Sequence, residues 1–484
     1  MNSVIAVMIV YLGLLVGFAI WSRRETKTLK GFYLAGKKLP YWVVAFSTNA
    51  TGESGWLLLG LTGMGYAVGA QAYWVVVGEI LGIAGSWWLV SRRLKRLSDE
   101  HDSITVPDVL AARFRDRWHL VRGVAVIIIL SMVTIYVTAQ MVASGKALDG
   151  FLDIPYEWGI VAGSVIIIAY TFIGGHKAVS YTDVLQGVLM FLGLLFVPIV
   201  AINAAGGWGT IMATLAAEDP GLTDMFSLTS DGFPGWIAIA SFVGIGLPFL
   251  GVPQLLVRYM SIREEEELKK ARWVSVIVLF VFTFGAVTAG IAGRALFPGL
   301  DDPEQIFPTL SSELFSPLVA GVLLVIVISA IMSTADSLLL LASSAVVRDT
   351  MQKIMGSTKS DHQLAVFGKI VTIVIGIFGI VVAWDDERKI FDFVLYAWSG
   401  LGAAFGPTLI CLLYYKRTTW AGVIAGMIAG FATSIIWVEV FKAQTHDLYE
   451  AIPGFIAAFA VTLGVSVLTH RSRTLSGRAS DTEN

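Results

Sequence analysis

The sequence predicts an all-α polytopic membrane protein with about thirteen transmembrane helices, and three observations carry that prediction. Of the 484 residues, 56% are hydrophobic and 14% charged, with a mean hydropathy of +0.74, a balance foreign to soluble domains of this length. Apolar runs long enough to cross the hydrocarbon recur along the whole chain. Lys and Arg gather in alternate connections between those runs, as the positive-inside rule requires.

In order, the runs are residues 2–21, 41–64, 71–91, 120–145, 158–174, 182–203, 236–257, 273–293, 314–342, 366–384, 390–414, 418–439 and 451–469. The first has neither the basic start nor the small-residue cleavage motif of a signal peptide, and Arg23 and Arg24 close it as a stop-transfer end. With Met1 outside, 29 of the 34 Lys and Arg fall on the inner face, and only Lys146, Arg294, Arg388, Lys389 and Lys442 on the outer. The predicted N-terminus is therefore outside and the C-terminus cytoplasmic, in a cell membrane. Loop 204–235 carries Glu218, Asp219, Asp224 and Asp231 with no Lys or Arg, as an outer loop should. Inner connection 92–119 contains Arg113, Arg115 and Arg117. The positive-inside rule accounts for them without a nucleic-acid partner. Its Thr105-Val106-Pro107-Asp108 reads as the start of a short interfacial helix. Residues 1–470 then form one transmembrane domain, and 471–484 a short polar cytoplasmic tail. Cys411 lies alone in an apolar run, where a buried inert thiol is the ordinary outcome.

Two of the runs are interrupted. In 41–64 the carboxylate of Glu53 stands between Gly52 and Gly55, and in 236–257 Gly244, Gly246, Pro248, Gly251 and Pro253 follow closely. An ionisable group at bilayer depth costs several kcal/mol, of order 3, unless it faces a cavity or partner. Glycine lets the helix unwind there, and freed carbonyls suit a small cation. The two interruptions begin spans five apart. That placement predicts a five-plus-five inverted repeat with a midplane site, repeat one at about 41–203 and repeat two at about 236–414. Helices 2–21, 418–439 and 451–469 are then peripheral.

A further pattern lies in Ala330–Ser337. Ala330, Ser333, Thr334 and Ser337 fall at i, i+3, i+4 and i+7, one stripe of a helix, with Asp336 beside it. Hydroxyl, carbonyl and carboxylate oxygens together suit a hard cation. Glu53 and Glu79 both stand in mid-span, while no Lys or Arg does. A zwitterionic amino acid or related amine fits such a site better than a multiply charged acid.

The chain resembles the sodium/solute symporter family, most closely its sodium/proline symporter branch. The stretches that carry the likeness are Ser54-Gly55-Trp56-Leu57-Leu58-Leu59-Gly60-Leu61, Gly174-Gly175 with Val179-Ser180-Tyr181-Thr182-Asp183, Gly251 to Arg258, Met332-Ser333-Thr334, and the run from Tyr396 to Pro407. The resemblance implies the leucine-transporter-type inverted-repeat fold and Na+ as coupling ion, without an organic cofactor. It implies a main sodium site from the carbonyls of Ala50, Glu53 and Ala330 and the hydroxyls of Ser333 and Thr334. A second sodium site in some relatives corresponds to Asp183, Ser333, Asp336 and Ser337. Solute-binding positions of the proline branch fall on Ser54, Gly55, Trp56, Tyr136 and Pro253. The acid expected two places before Ser54 is Gly52 here, Glu53 comes one position later, and Ile245 and Phe249 stand where that branch has tryptophan and tyrosine. Gly52, Glu53, Glu79 and Phe249 complete the candidate solute-binding set.

The function that follows is sodium-coupled import of a small organic solute, proline or a related zwitterion, by alternating access. A sodium- or proton-coupled symporter for an amine, monocarboxylate or sugar is the alternative. A membrane sensor needs a signalling domain that the residues after 470 are too few to form, and an enzyme needs clustered nucleophiles or metal ligands that the sequence does not offer.

Overall fold

A computed structural model describes residues 2–22, 28–228, 232–384 and 390–480. Met1, Arg23, Arg24, Lys27, Asp231, Arg388 and Lys389, on which parts of the charge argument rest, lie outside the described residues. Regular structure within them is helical, apart from an isolated bridge between Leu39 and Ile262. Among the described residues, ten helices are long and apolar enough to cross a membrane, and Ala6–Phe18 and Tyr156–Ile168 are shorter apolar helices. The remaining expected span, 41–64, is broken in the middle, so that its first half, Tyr41–Gly52, is too short to cross by itself and its second half runs on from Trp56 into the next span.

The first helices are α1 (Asn2–Ser22), α2 (Leu29–Leu34) and α3 (Tyr41–Gly52). After α3 the chain unwinds at Glu53 and Ser54, resumes helical backbone at Gly55 and continues through Trp56 into α4 (Thr62–Val68). Gly69, at φ 61°, turns it into α5 (Tyr73–Gly85), which runs on through α6 (Arg92–Glu100). The predicted inner helix is α7 (Val106–Phe114), with the Thr105 side chain accepting from the Asp108 N–H at 3.0 Å. Spans 4 to 6 are α8 (Leu120–Leu152) and α9 (Tyr156–Ala204), the latter divided at Gly175, whose φ of 61° no side-chain-bearing residue adopts cheaply.

Loop 204–235, expected outside from its charge, contains a helix, α10 (Trp208–Glu218), which packs Ile211 and Leu215 inward. The second broken span follows as α11 (Phe233–Gly244) and α12 (Pro253–Ser261), joined by a 3-10 turn at Leu247–Leu250 and by non-helical backbone at Gly251 and Val252, with Pro248 in the turn and Pro253 opening α12. Neither proline has an N–H to continue a helix. Then come α13 (Leu268–Leu296), α14 (Ile306–Leu314), α15 (Pro317–Ser344), α16 (Asp361–Ala383), α17 (Ile390–Tyr414), α18 (Trp420–Ile436) and α19 (Ala451–Ser480). Most of the expected polar tail thus continues α19. Extending a formed helix adds a hydrogen bond per residue, whereas starting one does not.

Burial separates centre from rim. In their most apolar stretches, 78% of the span containing α15 and 89% of α17 are buried, against 22% of α16 and 33% of α18 and α19. Backbones cross closely where glycines meet: a Cβ on Gly246 would lie 1.8 Å from the Gly78 carbonyl oxygen, and one on Gly251 would lie 2.1 Å from the Gly406 nitrogen. These contacts seat the broken α11/α12 span against α5 and α17. At the end of the bundle that carries α7, buried Arg122 pairs with Asp108 at 2.7 Å and with Asp349, while Arg348 reaches Asp108 at 2.9 Å. That network ties α7 and α8 to the continuation of α15.

Candidate functional site

The unwound backbone after α3 faces α15. Ser333 Oγ lies 2.7 Å from the Ala50 carbonyl oxygen and 3.0 Å from that of Ala330, and Thr334 Oγ1 donates to the Thr51 carbonyl at 2.9 Å. Ala50, Thr51, Ala330, Ser333 and Thr334 are all buried. Interruption of the α3 ladder frees the carbonyls of Ala50 and Thr51, and the i, i+3, i+4 stripe of α15 supplies the hydroxyls. Four of the five residues predicted to hold the cation therefore converge. The fifth, Glu53, follows the last turn of α3, with its N–H donating to the Asn49 carbonyl at 2.9 Å. Both oxygens of its fully buried carboxyl lack a hydrogen-bond partner among the described residues.

Beside this junction is a narrow cleft lined by Gly52, Trp56, Glu79, Tyr136, Ile245 and Trp398, with Val394 and Leu395. Both broken spans contribute to its wall, as does α17. The Trp398 indole donates to the Ile245 carbonyl at 3.2 Å, a group freed by the break after α11, and its ring meets Phe249 edge-on at 5.1 Å and Tyr136 at 6.3 Å. Glu79 is 2% exposed, and its Oε2 has no hydrogen-bond partner among the described residues. The lining contains an acid and three aromatic rings but no Lys or Arg. Such a surface matches a small ammonium-bearing solute with an apolar body.

The other predicted solute residues surround this lining without all entering it. Ser54 accepts from the Trp56 N–H at 3.1 Å and lies beside the Tyr136 hydroxyl. Gly55 is pressed against α8 and α15: a Cβ there would meet Ala143 and Ile331 at 2.8 and 2.9 Å, and its N–H donates to Gln140 Oε1 at 3.2 Å. Phe249 stands behind Trp398, with one ring carbon 3.3 Å from a Cβ built on Gly52. Pro253 starts α12 and is not part of the lining. Sequence reasoning gave no role to Gln140, Val394, Leu395 or Trp398. The aromatic-rich Tyr396–Pro407 run was the available signal for Trp398; none pointed to Gln140.

Trp56 stacks on Phe391 with centroids 5.8 Å apart, and Phe391 also borders a second pocket with Asp302, Glu304 and Asp392. Glu304 accepts from the Ile390 and Phe391 N–H groups at 3.1 and 2.9 Å and pairs with Lys146 at 2.6 Å. The start of α17 is thereby fixed over the site, where a carboxylate suits the positive end of a helix.

Next to the junction lie Asp183, Ser333, Asp336 and Ser337, which the family resemblance pointed to as a second cation site. Ser47 Oγ donates to Asp183 Oδ2 at 2.6 Å, and Thr51 Oγ1 is 3.1 Å from Ser337 Oγ. Ser337 Oγ is 3.3 Å from Asp336 Oδ1. Arg258 also enters this group, although its position at the end of a span had grouped it with the inner-loop cations. It is 2% exposed, and its Nη2 reaches Asp183 Oδ2 at 3.1 Å.

Known proteins resemble this chain in sequence and in fold. The model of the sodium:solute symporter family matches residues 32–430. A high-affinity proline transporter, PutP, of Bacillus subtilis is 37% identical over 461 residues, covering 94% of this chain and 96% of its own. A sodium/proline symporter of Staphylococcus aureus is 35% identical over 475 residues, covering 96% and 92%. Among solved structures, a substrate-bound, outward-open Na+-coupled sialic acid symporter superposes with a TM-score of 0.78 at 20% identity, covering 96% of this chain and 98% of its own. The nucleobase-cation-symport transporter Mhp1, closed around bromovinylhydantoin, gives 0.57 at 15% identity, covering 91% and 95%.

Proposed function

The chain belongs to the sodium:solute symporter family, and from that premise we propose that its solute is proline or a closely related zwitterionic amino acid. It is a multi-pass membrane protein and a sodium-coupled secondary transporter, not an enzyme. The observation that carries the solute reading is the cleft in which Glu79, Trp56, Tyr136 and Trp398 face one another beside the junction of α3 and α15. Glu79 would take the solute's ammonium, and the aromatic rings its apolar body. The carboxylate, with no Lys or Arg in the lining, would turn to the sodium and to N–H groups at the broken end of α3.

Sodium would be held by the carbonyls of Ala50, Glu53 and Ala330 and the hydroxyls of Ser333 and Thr334, bridging the first repeat to the second. Because the ion and solute would then order the same unwound segment, each raises the affinity of the other by the same factor. Gly52, Ser54, Gly55, Phe249 and Pro253 shape that segment and its counterpart. The proposed orientation has Met1 outside and the C-terminus cytoplasmic, with sodium leaving past Asp183, Asp336 and Ser337. Residues 41–203 and 236–414 would form the two repeats.

A second reading, a small cationic amine, is favoured by the unpartnered carboxyl oxygens of Glu53 and Glu79. The experiment that decides is radiolabelled uptake into proteoliposomes, with proline, betaine-type amines, monocarboxylates and sugars as solutes and sodium and proton gradients imposed separately. Sodium-driven proline uptake is the expected result. Uptake of amines with exclusion of proline replaces the first reading by the second, and uptake driven by protons alone removes sodium from the site.

A further inference from the structure

Two connections far apart in sequence, α7 to α8 and α17 to α18, meet in a groove at the end of the bundle that carries α7. Phe114, Arg115, Arg117, Trp118 and Leu120 form one wall, and Trp420, the first residue of α18, forms the other. Trp118 is 84% exposed, more than any other large hydrophobic side chain among the described residues, and Trp420 is 38% exposed. In water a bare indole is a liability, whereas at the boundary of a bilayer it is an anchor.

The length of α18 puts the groove at that boundary. From Trp420 to Ile436 it runs 17 residues without a charge, and Trp437 follows at once. At 1.5 Å per residue it is about 26 Å long, close to the thickness of the hydrocarbon, so the two tryptophans stand near its two edges. On the neighbouring α8, Leu120 and Ile127 are 48% and 65% exposed and lie seven residues apart on one face. Between them, a Cβ built on Gly123 would meet nothing within 4 Å. An open apolar strip therefore leads from the groove into the membrane.

Charge identifies what the groove holds. Arg115 and Arg117 are exposed, and neither side chain has an ion pair or hydrogen bond among the described residues. The acid of the same segment, Asp116, does not neutralise them, because its carboxyl oxygens accept from the Leu120 and Arg122 N–H groups at 3.1 and 3.2 Å and so cap α8. Arg113 in the last turn of α7, and Lys416 and Arg417 just before α18, are likewise exposed and without an ion pair among the described residues. Other cations at this end have acidic partners: Lys37 pairs with Asp99 at 2.9 Å, Arg96 with Glu265 at 2.8 Å and Arg348 with Asp108 at 2.9 Å. Free guanidinium groups at the membrane surface, with an apolar strip beneath them, repeat the order of phosphate and acyl chain in a phospholipid. We propose that this groove is a binding site for an anionic glycerophospholipid, its phosphate held by Arg115 and Arg117 between Trp118 and Trp420, with an acyl chain along the Leu120–Ile127 face of α8. Guanidinium is the cation best shaped for phosphate oxygens.

A lipid seated there joins the start of α8, which carries Tyr136 and Gln140 to the solute site, to the start of α18, which packs on α8 and α17. Its binding should therefore stabilise the bundle. In the orientation proposed above, the lipid belongs to the cytoplasmic leaflet.

The test titrates the purified full chain in neutral detergent micelles with phosphatidylglycerol, phosphatidylcholine or inorganic phosphate, reading the thermal midpoint, with native mass spectrometry to count retained lipid. Phosphatidylglycerol should raise the midpoint saturably and remain bound, and the other two should not. Arg115 sits at φ 49°, a left-handed conformation that asparagine tolerates well, so Arg115→Asn with Arg117→Gln keeps the backbone. That pair should need about thirtyfold more phosphatidylglycerol for half the gain. Lys269→Gln with Lys353→Gln removes the same charge from exposed lysines outside the groove and should behave as wild type. An equal loss in this control pair reduces the effect to general surface charge and overturns the proposal. So does an equal gain with phosphatidylcholine, or with inorganic phosphate alone, which assigns the groove to a soluble anion. A wild type that phosphatidylglycerol does not stabilise overturns it as well. If the paired variant does not fold, Arg117→Gln alone decides: about fivefold weaker titration is expected, and an unchanged one rejects the site.

Discussion

Ser333 and Ala50, 283 residues apart in sequence, meet with the hydroxyl of one 2.7 Å from the carbonyl oxygen of the other. The contact joins a continuous helix to the end of a broken one. Replacing Ser333 by Ala keeps the helix and removes one oxygen from the proposed sodium shell, and Thr334→Ala does the same at Thr51. Each should raise the sodium concentration for half-maximal uptake about tenfold, roughly 1.4 kcal/mol. Unchanged sodium dependence in both folded variants removes this junction from the mechanism.

Glu53 follows Gly52 at the break of the first span, and neither of its carboxyl oxygens has a hydrogen-bond partner among the described residues. Glu53→Gln preserves size but removes charge, so transport should fall by about tenfold or more if the carboxylate meets the ion or the solute ammonium. Gly52→Asp with Glu53→Met should restore more uptake than Glu53→Met alone. A fully active Glu53→Gln shows that only the backbone there participates.

Glu304 fixes the start of α17 over the site through the N–H groups of Ile390 and Phe391, and Lys146 balances its charge. Glu304→Ala leaves Lys146 half-buried without that carboxylate, at a cost of about 3 kcal/mol or less. The Trp56–Phe391 stack should then part more often. A cysteine placed at Val394 should label faster from outside in this variant than in the parent, and equal labelling rates would refute the role.

Gly246 crosses Gly78 so closely that a single Cβ would stand 1.8 Å from a backbone oxygen. Since backbone cannot rotate away as a side-chain tip can, Gly246→Ala should destabilise by about 3 kcal/mol, the upper end of ordinary overpacking. The measurement is the thermal midpoint of the purified protein. A midpoint within a degree or so of the parent, on the scale set by the usual stability slope, contradicts the crossing.

In the network at the α7 end, burial pushes the Asp108 carboxyl up, but the Arg348 and Arg122 guanidinium groups outweigh it and hold the group below its ordinary value. A depressed folded-state pKa contributes stability above the unfolded value of about 3.9, lost as pH falls through the folded-state value. Acid unfolding should therefore begin at higher pH in Arg348→Ala than in the parent. Identical acid midpoints would show that Asp108 does not contribute this way.

The sequence by itself determined the membrane class, the positions of both helix breaks and the oxygen stripe of α15, because each is a local property. Hydropathy, glycine and proline act within a helical turn or two, and residues at i, i+3 and i+4 share a face wherever the helix is placed. Tertiary structure decided which oxygens meet. Gln140, Val394, Leu395 and Trp398 reach the site through the crossing of α8 and α17 with the broken spans, and no periodicity within their own helices announces that. Arg258 shows the physical reason most clearly. A long cationic side chain at the end of a helix can extend to the membrane surface or turn into the bundle. Its direction is settled by the buried Asp183 on α9, the hydroxyls of Ser47 and Ser337 on two further helices, and the angle at which all of them pack.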